Sequence, residues 1–166
     1  MKIQQADITD AVEILALQKL AYLSEARRYN DYSIPPLTQT LEDLVADFGR
    51  KTFLKAVEGG RIVGSVNGFL KGDRCHIGRL MVHPDSQGGG LGTRLMKSIE
   101  AWFADARSWE LFTGELSVEN IRLYERLGYR EVRREPFPGF RHLVVIMMKQ
   151  HCAVPRDIPA GGGKTP

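Results

Sequence analysis

Cysteine is scarce in this 166-residue chain: Cys75 and Cys152 are the only two. Two such residues build neither a disulfide framework nor a metal site, so a reducing, cytoplasmic setting with no metal is expected. Long apolar runs are also lacking. The longest, Leu143 to Met148, has six residues against the ~18 that a bilayer span needs, so no membrane association is expected. The N-terminus, Met1-Lys2-Ile3-Gln4-Gln5-Ala6-Asp7, offers no hydrophobic signal region, and secretion by that route is not expected. Nor is there a large excess of one charge: 23 Lys and Arg stand against 20 Asp and Glu, a net +3. What is present, 43% apolar and 26% charged residues, lies in the globular range and excludes wholesale disorder. The length suits one domain with a real core.

Divided along the chain, the charge is uneven. Residues 1–50 carry 5 basic and 8 acidic side chains, residues 51–150 carry 16 and 11, and the last 16 residues add +1. The first part leans toward cationic partners and the second toward anionic ones.

The hydrophobic pattern predicts a strand over Lys2–Ile8. A helix capped by Thr9 or Asp10 follows, its apolar positions at Val12, Leu15, Ala16, Leu20 and Leu23. Asn30 to Pro36 breaks it, and Thr40 opens a short helix to Phe48 with Asp43 as a capping-box partner. Strands Thr52–Glu58 and Arg61–Leu70 are joined by Gly59-Gly60, a hairpin signal. A strand Arg74–Val82, a loop from His83 to Gly90 and a helix Leu91–Ala106 come next. Then follow a strand Leu111–Glu115, a helix Val118–Leu127 stopped by Gly128, and strands Tyr129–Arg133 and Arg141–Met148. Gln150 to Pro166 holds three Pro, three consecutive Gly and few core formers, and is expected to be a disordered tail on a domain of residues 1–149. Its Gly162-Gly163-Lys164-Thr165 resembles the end of a phosphate-binding P-loop, but Ile158 stands where that motif needs glycine.

The segment richest in chemistry is a strand, the run Gln87-Gly88-Gly89-Gly90-Leu91-Gly92-Thr93, and a helix. Glycines there permit positive φ and close backbone approach. Free N–H groups at a helix start favour an anion such as pyrophosphate. The dinucleotide fingerprint fails, since Thr93 occupies its last glycine position.

Gln87, Gly90 and Gly92 form Gln-x-x-Gly-x-Gly. With Leu80-Met81-Val82-His83-Pro84 before it, this resembles motif A of the GNAT superfamily of acetyl-CoA-dependent N-acyltransferases. Asn120 to Tyr129, an Asn-x-x-x-Tyr-x-x-x-Gly-Tyr pattern, resembles motif B, and Met147-Met148-Lys149 is similar to the last strand of many members. The resemblance covers about Lys2 to Lys149. It implies an α/β fold: a mixed, mostly antiparallel sheet of six or seven strands, helices on both faces, and a parallel pair splayed to admit pantetheine. It implies that Leu80, Met81 and Val82 pair with the pantetheine arm of acetyl-CoA and that the N–H groups of residues 87–93 cup the pyrophosphate. Asn120 would bond the pantetheine region and Tyr124 would lie near the sulfur. Dimers are frequent in the family, so a homodimer is allowed.

Acetyl transfer to an amine needs one group to take a proton from an ammonium and another to give one to the thiolate. Tyr124, a phenol with an ordinary pKa near 10, suits the acid role. His76, eleven residues before Gln87, matches the spacing at which the histone-acetylating branch carries a Glu base. Glu115, Ser117 or ordered water are the rivals for that role. Tyr22, Glu25, Tyr29, Asn30, Asp31 and Tyr32 combine aromatics with carboxylates, which suits a small cationic amine by cation–π contact and charge pairing. The expected reaction is therefore direct acetylation of such an amine in a ternary complex. Acetylation of a protein N-terminus or Lys, and a non-catalytic acyl-CoA-binding module, stay open. Arg126, Arg130, Arg133 and Arg134 read as a solvated face rather than a nucleic-acid site, because Tyr129 is the one aromatic among them.

Overall fold

The computed structural model describes residues 1–152. From residue 153 on, the expected tail lies outside the described residues. Among the described residues seven strands form one sheet: β1 (Lys2–Gln5), β2 (Thr52–Glu58), β3 (Arg61–Lys71), β4 (Arg74–Val82), β5 (Ser108–Gly114), β6 (Arg130–Pro136) and β7 (Leu143–Gln150). Their order is β1-β2-β3-β4-β5-β7-β6, and every neighbouring pair is antiparallel except β4 with β5. The helices are α1 (Ala11–Ala21), α2 (Leu23–Tyr29), α3 (Pro35–Thr38), α4 (Leu41–Phe48), α5 (Leu91–Trp102) and α6 (Val118–Arg126). This is the α/β architecture expected from the motifs. Among the described residues no helix is long and apolar enough to cross a membrane.

Local signals account for most boundaries. Gly59 and Gly60 both have positive φ, +56° and +77°, as a two-residue turn that follows the strand twist requires. Thr40 and Asp43 exchange both capping-box hydrogen bonds at the start of α4, satisfying two N–H groups with no helical partner. Pro35-Pro36 do more than break a helix: they open the short α3, where a missing N–H and a fixed φ are harmless.

The first helix departs from expectation. It ends at Ala21, and α2 begins after Tyr22. Its buried face is Ala11, Ile14, Leu17 and Gln18, whereas Val12 and Leu20 are 66% and 40% exposed. Apolar residues wrap most of the way round α1, so more than one helical phase fits the sequence. The position that decides it is polar. Gln18 is fully buried because its Nε2 donates to the Pro36 carbonyl at 2.9 Å and to Gln39 Oε1 at 2.8 Å.

Two cores lie on opposite faces of the sheet. On one, Leu95, Met96 and Ile99 of α5 pack with Val66, Ile77, Leu111 and Tyr124. On the other, Ile14 and Leu17 of α1 and Leu44 of α4 cover Phe53, Ile62 and Met81. Each fully buried aliphatic side chain contributes roughly 1.5–3 kcal/mol.

Two irregularities at β4 open the sheet. Ser65 faces Met81 and Asn67 faces Gly78, so Arg79 and Leu80 together oppose the single residue Val66. That extra residue is a β-bulge, and within it Arg79 has φ +51°, a conformation costly for any residue but glycine. The parallel pairing with β5 holds only over Arg74–His76 against Ser108–Glu110; beyond it the two strands separate.

Candidate active site

The separation of β4 from β5 is the centre of a cleft of about 1080 Å³ that runs through the sheet. At one end lies the loop before α5. Gly88 and Gly90 have φ +79° and +78°, and nothing lies within 4 Å of where a Cβ would stand at Gly88, Gly89 or Gly90. Gln87 pins the loop to the strand by donating from Nε2 to the Val82 carbonyl at 3.2 Å. The first bond of α5 runs from Arg94 N–H to the Gly90 carbonyl. The N–H groups of Leu91, Gly92 and Thr93 therefore have no helical acceptor, and α5 adds its dipole at this point. Anion binding is what such an end offers.

The ten positions expected for the cofactor outside α6 can be followed individually. Leu80, Met81, Val82, Gln87, Gly88, Gly90, Leu91, Gly92 and Thr93 line the cleft, while Gly89 is exposed beside it. The side chain of Met81 is buried under α1 and that of Leu91 under α5, which leaves their backbones to act. Asn120 lines the cleft and donates from Nδ2 to Thr113 Oγ1 at 3.4 Å, tying α6 to β5. Tyr124 also lines it, 7% exposed, its ring edge-on to Tyr129 at 6.1 Å. Its hydroxyl has no hydrogen-bond partner among the described residues. Burial, with Tyr22 and Glu25 nearby, holds the phenol above its ordinary range, so it stays protonated at neutral pH.

At the far side of the splay, His76 stacks on Phe69 (5.2 Å, 15°) and lines the cleft. Burial pulls its pKa below the usual imidazole value, and the Glu110 carboxylate opposes that pull. Glu115 and Ser117, the other side chains considered for the base, are not in the cleft lining. Glu115 Oε1 accepts from Leu143 N–H at 3.1 Å. Ser117 is fully buried: its hydroxyl donates to Glu25 Oε2 and accepts from Tyr29 O–H at 2.8 Å.

Of the residues expected to meet an acceptor, Tyr22, Glu25 and Tyr29 line the cleft and Asp31 and Tyr32 do not. The left-handed Asn30 (φ +46°) ends α2 and turns the chain away. Asp31 is spent on the Ser33 N–H and hydroxyl at 2.9 and 2.6 Å, and Tyr32 is 57% exposed. Sequence reasoning missed Glu110, Phe69, Phe112, Phe137, Phe140 and Arg79, all of which line the cleft. Tyr29 joins this aromatic wall, edge-on to Phe140 at 4.9 Å. Of the four arginines read as a solvated face, Arg133 and Arg134 pair with Glu135 and Glu131, each at 2.8 Å, and Arg126 lines the cleft.

Gly114 marks the tightest packing around Tyr29. A Cβ there would overlap Tyr29 Oη and stand 2.6 Å from Cζ. Gly114→Ala is expected to displace Tyr29, break its bonds to Ser117 and to Leu116 N–H, and destabilise the fold by about 2–3 kcal/mol. Urea denaturation measures it; a midpoint equal to that of the unmodified protein would show that the ring yields freely.

Residues 14–129 match the model of the acetyltransferase (GNAT) family. The chain is 30% identical over 129 residues to the UPF0157 protein YqkA of Bacillus subtilis, a match covering 78% of this chain and 37% of that protein. It is 32% identical over 80 residues to an uncharacterized N-acetyltransferase of Methanocaldococcus jannaschii, covering 46% of this chain and 51% of that one. The chain thus spans between about a third and a half of the length of these relatives. Among solved structures it is similar to the PaiA N-acetyltransferase of Thermoplasma acidophilum in complex with coenzyme A, with TM-score 0.76 and 14% identity, covering 90% of this chain and 98% of that one.

Proposed function

The chain belongs to the acetyltransferase (GNAT) family, and from that premise we propose that it transfers an acetyl group from acetyl-CoA to a primary amine, a small cationic molecule, by direct attack in a ternary complex. The observation that carries the reading is one continuous cleft. It joins an open glycine loop at the start of α5, the gap between β4 and β5, and a wall of aromatic and acidic side chains.

The residues present fit the cofactor. The loop leaves room beside Gly88, Gly89 and Gly90, and three hydrogen bonds from Leu91, Gly92 and Thr93 to a pyrophosphate would each be worth about 1.5–3 kcal/mol. The bulge takes Arg79 and Leu80 out of regular pairing with β3, which suits the β4 backbone to align a pantetheine arm, with Asn120 beside it. Bound acetyl-CoA supplies an acetyl group activated as a thioester. Tyr124 Oη holds the proton that the departing sulfur requires, and His76 Nε2 takes one from the acceptor's ammonium.

The acceptor end supports a cation. Glu25, Glu110 and Glu119 line the cleft together with Tyr22, Tyr29 and Phe140, with Glu110 and Glu119 partly balanced by Arg74 and Arg28. Two of the cations nearby are already paired, Arg28 with Glu119 at 2.6 Å and Lys51 with Asp47 at 3.1 Å. The same proposal places the protein in a reducing cytoplasm, in keeping with Cys75 and Cys152 both being free.

Thiol release from acetyl-CoA, followed over a panel of polyamines, aminoglycosides, amino acids and an N-terminal peptide, tests the reading. Acetylation of a polyamine or aminoglycoside supports it. Turnover of the peptide alone overturns the acceptor class, and tight CoA binding with no thiol release from any amine overturns the enzymatic reading. A pH dependence follows from His76. The neutral imidazole is the active form, so kcat/KM should rise with pH through a limb below about 6.5, because burial depresses that pKa. His76→Ala should remove the limb and lower kcat/KM by roughly 10²-fold; a limb that survives eliminates His76 as the base.

A further inference from the structure

We propose that Glu110, itself anchored by Arg74, is the positioning residue for His76: it accepts from imidazole Nδ1 and leaves Nε2 as the atom that faces the cleft and takes the acceptor's proton. The inference rests on the acetyl-transfer reading above and extends it to a residue outside both sequence motifs.

Its basis is the register of the one parallel pair. His76 and Glu110 are partners in the last rung before β4 and β5 part. Partners in register project to the same face, here into the cleft. His76 Nδ1 stands 3.6 Å from Glu110 Oε1, an ion-pair separation just beyond hydrogen-bond distance, and catalytic contacts of this length shorten to hydrogen bonds when substrate binds. The second oxygen, Oε2, accepts from Arg74 Nη1 at 3.0 Å, so the carboxylate cannot swing away freely. The Glu110 side chain is only 12% exposed, and the stacked Phe69 holds the imidazole plane. Nε2 has no partner among the described residues.

The charged groups facing the imidazole are Glu110 from β5, Arg74 from its own strand and Lys71 from the end of β3. Lys51 stands 6.0 Å over the Phe69 ring. Of these, Glu110 alone favours the imidazolium. In the step assigned to it, the N–H bond of the acceptor ammonium breaks and an N–H bond forms at Nε2. The nitrogen keeps its lone pair for attack, and the imidazolium returns the proton to water. Glu110 remains a carboxylate throughout.

Glu110→Gln separates this role from a merely structural ion pair. Arg74 would hold the amide oxygen and turn the amide NH₂ toward Nδ1, which favours the wrong tautomer, with the proton on Nε2. Imidazole ¹⁵N NMR of the full chain without cofactor should show neutral His76 protonated on Nδ1. In Glu110→Gln the proton should move to Nε2 and the titration midpoint should fall by about 1 unit. The acid limb of kcat/KM should shift down by the same amount, kcat should fall at least about tenfold, and Glu110→Asp should restore part of both. An Nε2-protonated His76 in the unmodified protein, which needs no variant to fold, overturns the proposal. So does a tautomer and midpoint unmoved by Glu110→Gln while the unmodified enzyme turns over, and in that case the transfer reading stands. If the NMR changes appear but no amine releases thiol, the pairing holds and the transfer reading is the one that fails.

Discussion

Tyr124→Phe is expected to lower kcat by about 10²- to 10⁴-fold, the usual contribution of a positioned general acid, while CoA affinity and stability stay close to those of the unmodified protein. The reason for so clean a separation is local. The phenol hydroxyl has no hydrogen-bond partner among the described residues, so removing it strands no buried group there. The ring remains packed edge-on to Tyr129 and within the core under α6. Burial meanwhile holds the phenol above its ordinary pKa, so the proton is present throughout the neutral range and is given up only to a strongly basic partner. Steady-state kinetics with a calorimetric CoA titration measures both quantities. An unchanged kcat would assign the proton to water and reduce Tyr124 to a core aromatic.

Gly90→Val should have an effect of similar size on binding instead. Gly90 caps α5 at φ +78°, a conformation in which a β-branched residue is a genuine outlier. The substitution forces the loop and the first turn of α5 to refold locally, at a stability cost of about 1–2 kcal/mol. The larger loss is expected at the proposed pyrophosphate site. Misplacing two of the free N–H groups forfeits about 3–6 kcal/mol, or roughly 10²- to 10⁴-fold in the dissociation constant for CoA. Gly90→Asn, which accepts left-handed φ more readily, should retain most of the affinity. A Gly90→Val protein that binds CoA normally would move the pyrophosphate site away from this loop.

The uneven charge has a structural counterpart. The basic part of the sequence, 51–150, contains the whole α5 loop and the β4–β5 gap. The acidic part, 1–50, supplies Glu25, which lines the cleft beside Tyr22 and Tyr29. Arg79 tempers that simple division. It lines the cleft from a strained bulge and opposes the burial that raises the Tyr22 pKa, so this part of the cleft is mixed rather than purely acidic.

Much was legible where the controlling physics is local. The Gly59-Gly60 turn, the Thr40–Asp43 capping box, the glycine loop opening α5 and the stop at Gly128 are each written within a few residues, because backbone conformation and unpaired N–H groups answer to near neighbours. The buried face of α1 is not legible in the sequence because its decisive residue is Gln18, a polar side chain whose burial depends on acceptors 18 and 21 residues away. Asp31 and Tyr32 share the aromatic and carboxylate character that suits a cation, yet the left-handed Asn30 turns the chain so that neither lines the cleft.

By itself, then, the sequence determined most of the elements, the open glycine loop at the start of α5 and the place of Tyr124 on α6, all set by short-range stereochemistry and motif spacing. Only the tertiary structure decided what faces His76. Glu110 lies 34 positions away on a strand whose alternation says which residues share a face but not which neighbour it pairs with or in what register. The aromatic wall of Phe112, Phe137 and Phe140 was hidden for the same reason: pairing of distant strands is settled by packing of the whole sheet, and no local pattern encodes it.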